Sequence, residues 1–328
     1  MIAITFTSSN IQVVNNYQPN SNLIIENSKA SEILYVILVH FDFNKVGRRK
    51  QLLLEFLNHY KNLPGIRMVL VEATVDGLFD LPDKLEGVFI HHKFRIQNYI
   101  FLKENLINVA ISKLPNDWQY VSWIDPHLTF LNPNWVEDTI NELKISPYIQ
   151  LFQTCVFMGP NGEALTIDKG VGYSDDVWAY PGYACAMTKN AFDKMGGLFE
   201  EDIILGGDSI TARAFQQRLA STYLNYLNLL SPNQKEFFKS AYSYELKAKA
   251  NKYFLSCING TVIHHWHGAS ADRKYTERYE KILKKHIYDP KVDLVRDKDG
   301  IISLSEKGKR MDDDFKEIFC PKCVKNIF

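Results

Sequence analysis

Ile33-Leu34-Tyr35-Val36-Ile37-Leu38-Val39 is an unbroken apolar run of strand length. A strand with one face in water would alternate apolar and polar residues. A run with no polar break suits a parallel strand buried on both faces. A polar loop, residues 40 to 47, follows. Arg48 to Tyr60 then carries Leu52, Leu53, Phe56 and Leu57 on one helical stripe. Pro64-Gly65 breaks the chain, and Arg67-Met68-Val69-Leu70-Val71-Glu72 reads as the next strand.

The alternation continues outward. Val88-Phe89-Ile90 reads as a short strand ending at His91-His92. Residues 96 to 113 read as a helix, 120 to 124 as a strand, 134 to 143 as a helix and 149 to 152 as a strand. This order predicts an α/β fold, doubly wound around a mostly parallel sheet. The second half is less regular. Residues 155 to 187 are rich in Gly, Tyr and Trp and read as a binding-loop region. Ala191 to Met195 reads as a helical turn closed by Gly196-Gly197. Helical patterns recur over 209 to 230, from Ser231-Pro232 onward, and over 273 to 285. Residues 1 to 30, rich in Asn and Ser, are expected to be an extension. Residues 31 to 300 are expected to form one domain and 301 to 328 a tail.

The chain has 328 residues and is 46% hydrophobic, enough for one large α/β domain. Lys+Arg and Asp+Glu both number 38, so bulk charge gives no reason to expect nucleic acid as a partner. No segment approaches the roughly 20 apolar residues of a membrane span. The first residues lack the basic start of a secretory signal, so a soluble, cytoplasmic protein is expected. Cys155, Cys185 and Cys257 sit in apolar surroundings and are expected to be reduced. Cys320-Pro321-Lys322-Cys323 is a lone CxxC, expected to be incidental to a tail.

The chemistry concentrates in two places. Asp125-Pro126-His127 ends the apolar run Tyr120-Val121-Ser122-Trp123-Ile124. A carboxylate and an imidazole two residues apart on extended chain project to one side. Pro126 keeps Asp125 out of the helical region. Such a pair can grip a divalent metal, and its mixed oxygen and nitrogen donors suit Mn²⁺, Zn²⁺ or Co²⁺ better than Ca²⁺. His264-His265-Trp266-His267-Gly268 lies far downstream, and His265 and His267 repeat the i, i+2 spacing. The metal set expected is therefore Asp125, His127, His265 and His267. The metal could neutralise a diphosphate as a Lewis acid. No GxGxxG follows the first strand and no GxxxxGK[ST] occurs, which disfavours dinucleotide dehydrogenases and P-loop NTPases.

Gly206-Gly207-Asp208 precedes a helix expected to begin near Ser209. Asp208 suits a helix N-cap, and also a general base kept ionised by the helix dipole. Lys103 could reach a phosphate, although a lysine on a helix is ordinarily solvated. Asn108, in the apolar stretch Leu106 to Ile111, is expected to tie its helix to a neighbouring loop. Trp178, Tyr180 and Tyr183 surround Pro181-Gly182 and offer a platform for a sugar.

Taken together, these motifs resemble the glycosyltransferases of the GT-A fold. Asp125-Pro126-His127 resembles the DxH of polypeptide N-acetylgalactosaminyltransferases, and the late histidines resemble their third metal ligand. Lys103 to Asn108 is similar to the helix before the DxD strand of β-1,4-galactosyltransferases. Gly206-Gly207-Asp208 is similar to the segment carrying their acceptor-side base. The motif order over roughly 33 to 290 resembles, more closely, a set of uncharacterised bacterial and giant-virus glycosyltransferase-like proteins. The resemblance implies a GT-A-like single domain and Mn²⁺ or another divalent metal. It also implies a nucleotide-sugar donor, UDP-linked, and a glycan or other hydroxyl acceptor. Arg48, Glu72, His91, Lys103, Asn108, Trp123 and Asp125 are implied on the donor side. Asp208 is the implied base, which favours inversion. A metallohydrolase or nucleotidyltransferase using the same pocket is the enzymatic alternative. A glycan- or nucleotide-binding module without activity is the other.

Overall fold

The computed structural model describes residues 2–7, 10–15, 32–45, 47–176, 179–219, 235–269 and 275–320. At the N-terminus, β1 (Ile2–Thr7) and β2 (Asn10–Asn15) pair antiparallel. The rest of the expected extension, 16–31, lies outside the described residues. The main fold then runs β3 (Leu34–His40), α1 (Arg48–Tyr60), β4 (Ile66–Thr74), β5 (Val88–Arg95), α2 (Lys103–Ser112) and β6 (Tyr120–Ile124). It continues through β7 (Leu128–Phe130), α3 (Trp135–Leu143), β8 (Tyr148–Gln150), β9 (Thr154–Met158), β10 (Ala164–Lys169), β11 (Ala184–Thr188), α4 (Lys189–Met195) and α5 (Gly207–Phe215). After α6 (Lys235–Ala250) come β12 (Leu255–Cys257), β13 (Thr261–His264), β14 (Leu294–Arg296) and β15 (Ile302–Leu304).

Seven strands form the central sheet in the order β12-β8-β11-β6-β3-β4-β5. β3, β4, β5 and β6 are mutually parallel, as are β8 and β12, and β11 alone runs against its neighbours. The result is a mixed, mostly parallel sheet in an α/β domain, as the alternation predicts. β3 shows why the sheet stands. Leu34, Val36 and Leu38 point into the core beneath α1 and α3, while Tyr35 and Ile37 point into the core beneath α2, α4, α5 and α6. β4 alternates likewise, with Met68 and Leu70 on the first side and Val69 and Val71 on the second. Each fully buried aliphatic side chain is worth roughly 1.5–3 kcal/mol of transfer free energy, so both faces anchor the strands.

The chain moves outward from β3 to β4 and β5, then returns to place β6 on the other side of β3. The crevice beyond the carboxyl ends of β3 and β6 is therefore a topological switch point, where open α/β sheets bind ligands. Asp125-Pro126-His127 starts there. A second sheet, β10-β9-β13-β7, grows from the same corner.

Several expectations need correction. The helix expected over 96–113 begins only at Lys103. Ile96, Ile100 and Leu102 are buried at a helix-like spacing, but Asn98 holds that stretch to the C-terminal segment. Its Oδ1 accepts the Leu304 N–H at 3.0 Å and its Nδ2 donates to Asp312 Oδ1 at 3.0 Å. The helix after Gly206 starts at Gly207, so Gly206 is its N-cap and Asp208 sits in its first turn. Residues 155–187 hold β9, β10 and the start of β11 rather than loops alone. The segment from 301 is no tail up to Cys320. Ile301, Ile302, Leu304, Met311 and Phe315 all enter the larger core. Cys320 is buried and disulfide-bonded, and 321–328 lie outside the described residues. Cys155, Cys185 and Cys257 are free, as expected.

Candidate active site

Strand pairing assembles the site. β7 follows His127 directly and pairs antiparallel with β13, setting Leu128 opposite His264 and Phe130 opposite Val262. The His265 N–H donates to the His127 carbonyl at 2.9 Å, which extends the pairing past the strand end. The Tyr60 hydroxyl oxygen accepts the Phe130 N–H at 3.0 Å and fixes β7 to α1. Residues more than 130 positions apart thus share one corner.

The histidines that meet there are His127, His264 and His267, whose ligand atoms all lie within 4.8 Å of one another. Their rings are 4.3 to 5.1 Å apart between centroids. His265 is a correction to the expected set. Along β13 side chains alternate, so Val262 and His264 turn inward together. His265 falls on the other side, with its Nε2 2.9 Å from Thr129 Oγ1. The chain turns after the strand, which brings His267 back at i+3 from His264. Asp125 is beside the cluster, its Oδ2 3.8 Å from His127 Nε2. Three imidazole nitrogens with a carboxylate at their edge fit a divalent cation of borderline softness.

Asp125 has a nearer partner. Lys103 Nζ, from the first turn of α2, lies 2.5 Å from Asp125 Oδ1, and only 13% of its side chain is exposed. Burial alone would depress the Lys103 ammonium, but the Asp125 and Asp208 carboxylates outweigh it and hold Lys103 charged.

Asp208 approaches from α5. A methyl group at Gly182 would overlap Asp208 Oδ2, so the glycine is what admits the carboxylate. Asp208 Oδ1 accepts the Ser209 N–H at 2.7 Å. Burial pushes the Asp208 carboxyl above the ordinary range; Lys103 opposes this and Asp125 adds to it. Glu104, 4% exposed, packs where a Cβ on Gly207 would lie. Burial, aided by Asp208, pushes its carboxyl up to about 8. Tyr183 adopts φ +77° and its carbonyl accepts the Asp125 N–H at 2.7 Å. Its ring stacks on Tyr180 at 4.5 Å. Non-glycine residues in left-handed backbone store strain, and such strain concentrates at functional sites.

Lys103, Asp125, His127, Asp208 and His267 all line one cavity of about 520 Å³ at the switch point. Arg48 and Arg49 form part of its rim, and the Arg48 Nε donates to the Trp266 carbonyl at 3.2 Å. Tyr180 and Tyr183 form a wall. Ile318 and Phe319 close another side, with Asn44 Nδ2 donating to the Phe319 carbonyl at 3.1 Å.

Four expected donor-side residues lie elsewhere. Trp123 alternates into the core and packs 5.8 Å from Tyr148. Asn108 ties α2 to the loop after α4, as its apolar setting predicts. Its Oδ1 accepts the Leu198 N–H at 2.8 Å, and its Nδ2 donates to the Leu198 carbonyl and to Glu200 Oε2. Those contacts occupy the amide, which is not at the cavity. Glu72 holds the loop beyond β4, accepting the N–H groups of Asp80 at 2.7 Å and Leu81 at 3.0 Å. His91 is inside β5 rather than past its end, 3.3 Å from Glu72. Trp178 lies outside the described residues. His264 and Glu104 were not singled out from sequence. Strand alternation counted back from His267 could not find His264, because the strand ends between them.

No protein-family profile matches the chain, and no curated protein matches it. Among solved structures it is similar to a mutant Drosophila β1,4-galactosyltransferase 7 in complex with manganese, UDP-Gal and xylobiose. Identity is 14%, over 77% of this chain and 75% of that one, with a TM-score of 0.39. The catalytic domain of that enzyme with xylobiose gives 14%, 83%, 94% and 0.39. The 4-diphosphocytidyl-2C-methyl-D-erythritol synthase of Anaerococcus prevotii gives 14%, 70%, 90% and 0.37. Among the described residues, no helix is long and apolar enough to cross a membrane.

Proposed function

We propose that this chain is a metal-dependent glycosyltransferase. It moves a sugar from a nucleotide-sugar donor, UDP-linked, to a hydroxyl of a glycan or similar acceptor. The observation that carries this reading is the convergence of Lys103, Asp125, two members of the histidine cluster and Asp208 on one cavity at the switch point. His127, His264 and His267 would hold Mn²⁺ or another divalent cation, which when bound supplies Lewis-acid neutralisation of a departing diphosphate. Lys103 and Arg48 add fixed positive charge on the same side. Tyr180 and Tyr183 offer ring faces to a sugar.

Asp208 is the proposed base. Its carboxylate takes the proton of the acceptor hydroxyl as the oxygen attacks the anomeric carbon, and the nucleotide diphosphate leaves with the bonding pair. Attack opposite the leaving group inverts the anomeric centre. Burial lifts the Asp208 carboxyl above the ordinary range and so makes it a stronger base than a solvated carboxylate, an effect that the Lys103 charge opposes. A screen of nucleotide sugars by thermal shift, with and without Mn²⁺, identifies the donor. Asp208→Asn is expected to keep donor binding and lose transfer by roughly 10²–10⁴-fold. Loss of donor binding in that variant refutes the base assignment.

One observation favours a second reading. Three imidazoles around one point are also the ligand set of catalytic zinc in hydrolases. Bound zinc with phosphoester hydrolysis and no sugar transfer would establish a metallohydrolase instead.

A further inference from the structure

Resting on the metal site of that reading, we propose that Lys103 is a built-in competitor for the metal. It holds Asp125 away from the cation, so the resting metal shell is the three histidines without the aspartate. The geometry is on two sides of one carboxylate. Asp125 Oδ1 is 2.5 Å from Lys103 Nζ, whereas Oδ2 is 3.8 Å from His127 Nε2. The Lys103 side chain is 13% exposed and the Asp125 side chain 21%, so water screens the pair little. Asp208 lines the same cavity as Lys103 and Asp125, so a second carboxylate stands on that side. A tethered ammonium thus pins one oxygen of the carboxylate and offsets the charge with which Asp125 would draw a cation in as a fourth partner. An arriving diphosphate is the one kind of ligand that rewards both halves of an exchange. It offers Lys103 a new anion and frees Asp125 to join the cation, so metal and diphosphate would each tighten the other's binding.

The test is a Co²⁺ titration of the dialysed full chain, read by the visible absorption of the bound ion and by calorimetry. Lys103→Met removes the competitor while keeping the stem, and should tighten Co²⁺ binding by at least about tenfold, because it leaves a buried carboxylate in want of a cation. Asp125→Asn, which strands the Lys103 charge beside the site, should cost Co²⁺ affinity far less than His264→Ala, which should abolish the spectrum. If Lys103→Met does not fold, the Asp125→Asn and His264→Ala pair still decides. Equal loss in both shows that Asp125 is a resting ligand and overturns the inference, as does Lys103→Met binding no tighter than wild type. A wild-type chain that binds no Co²⁺, Zn²⁺ or Mn²⁺ overturns the metal site of the proposed function itself, a different failure. Uridine diphosphate is the final probe. It should raise Co²⁺ affinity by a larger factor in wild type than in Asp125→Asn, and equal factors overturn the exchange.

Discussion

Gly182→Ala is the sharpest probe of Asp208, because it touches the carboxylate without changing it. The new methyl would overlap Asp208 Oδ2. The loop cannot yield easily. Gln150, fully buried, donates from Nε2 to the carbonyls of Tyr180 at 2.9 Å and Gly182 at 3.2 Å, and its Oε1 accepts the Gly172 N–H at 3.0 Å. Asp208 must therefore move. Restoring ordinary contact takes a retreat of roughly 1 Å or more, at the expense of its 2.7 Å bond from the Ser209 N–H. A displacement of about 1 Å at a reacting group costs about 10²-fold in rate, or about 2.7 kcal/mol of barrier. The φ of Gly182 is outside the left-handed region, so alanine adds no backbone strain there. Steady-state transfer with the donor found by thermal shift should show kcat down about 10²-fold, with donor KM and urea stability close to wild type. Transfer at the wild-type rate in a folded Gly182→Ala protein would sink the assignment of Asp208. So would a loss that resides wholly in donor affinity.

Three further outcomes are expected. Glu104 is pushed up to about 8 against an ordinary 4.5. Between those pH values the unfolded chain gives up its proton while the folded one keeps it. Stability should therefore fall as pH rises through that window, by up to about 1.4 kcal/mol per pH unit, and level off above it. Glu104→Gln should lose that slope and surpass wild type at pH 8 in urea midpoint; parallel profiles would contradict it. Asn108→Ala strands the Leu198 N–H and carbonyl and should cost about 2–4 kcal/mol in urea unfolding, with donor affinity retained; a selective loss of donor binding would restore Asn108 to the site. His265→Gln should keep Co²⁺ binding and His267→Ala should lose it, as seen by the same absorption titration; the reverse pattern would mean that the site uses the expected histidine after all.

Sequence carried the parts of this fold that are local. β3 announces itself because both faces are buried, so no polar residue interrupts Leu34 to Leu38. Asp125 and His127 are legible because a proline fixes the backbone between them at a strand end. Other features depend on partners far away in the chain. Ile96 and Ile100 mimic a helix at i, i+4, but both are buried in a non-helical segment that Asn98 ties to Leu304 and Asp312, over 200 positions away. The segment after 301 is rich in charge, with Asp312-Asp313-Asp314 opening its last helix, and its apolar residues are few enough to suggest a tail. Yet Phe315, Ile318 and Phe319 lie on one face of that helix and are all buried.

The same division runs through the site. The choice between His264 and His265 is a question of register with β7, which neighbouring residues do not encode. Lys103, read alone, is a surface lysine of a helix start, and Asp125, read alone, is a metal ligand. Placed 2.5 Å apart in a cleft shielded from water, they become one unit whose charges cancel. On the proposed reading, the metal-binding strength of the site is then set by that pair as much as by the histidines. Removing Lys103 and removing Asp125 should therefore move metal affinity differently, though each deletes half of the same contact. A simple ligand-plus-neighbour arrangement would instead have the Asp125 deletion weaken binding as much as loss of a histidine and the Lys103 deletion leave it unchanged, and it is this difference that separates a competing lysine from an incidental one.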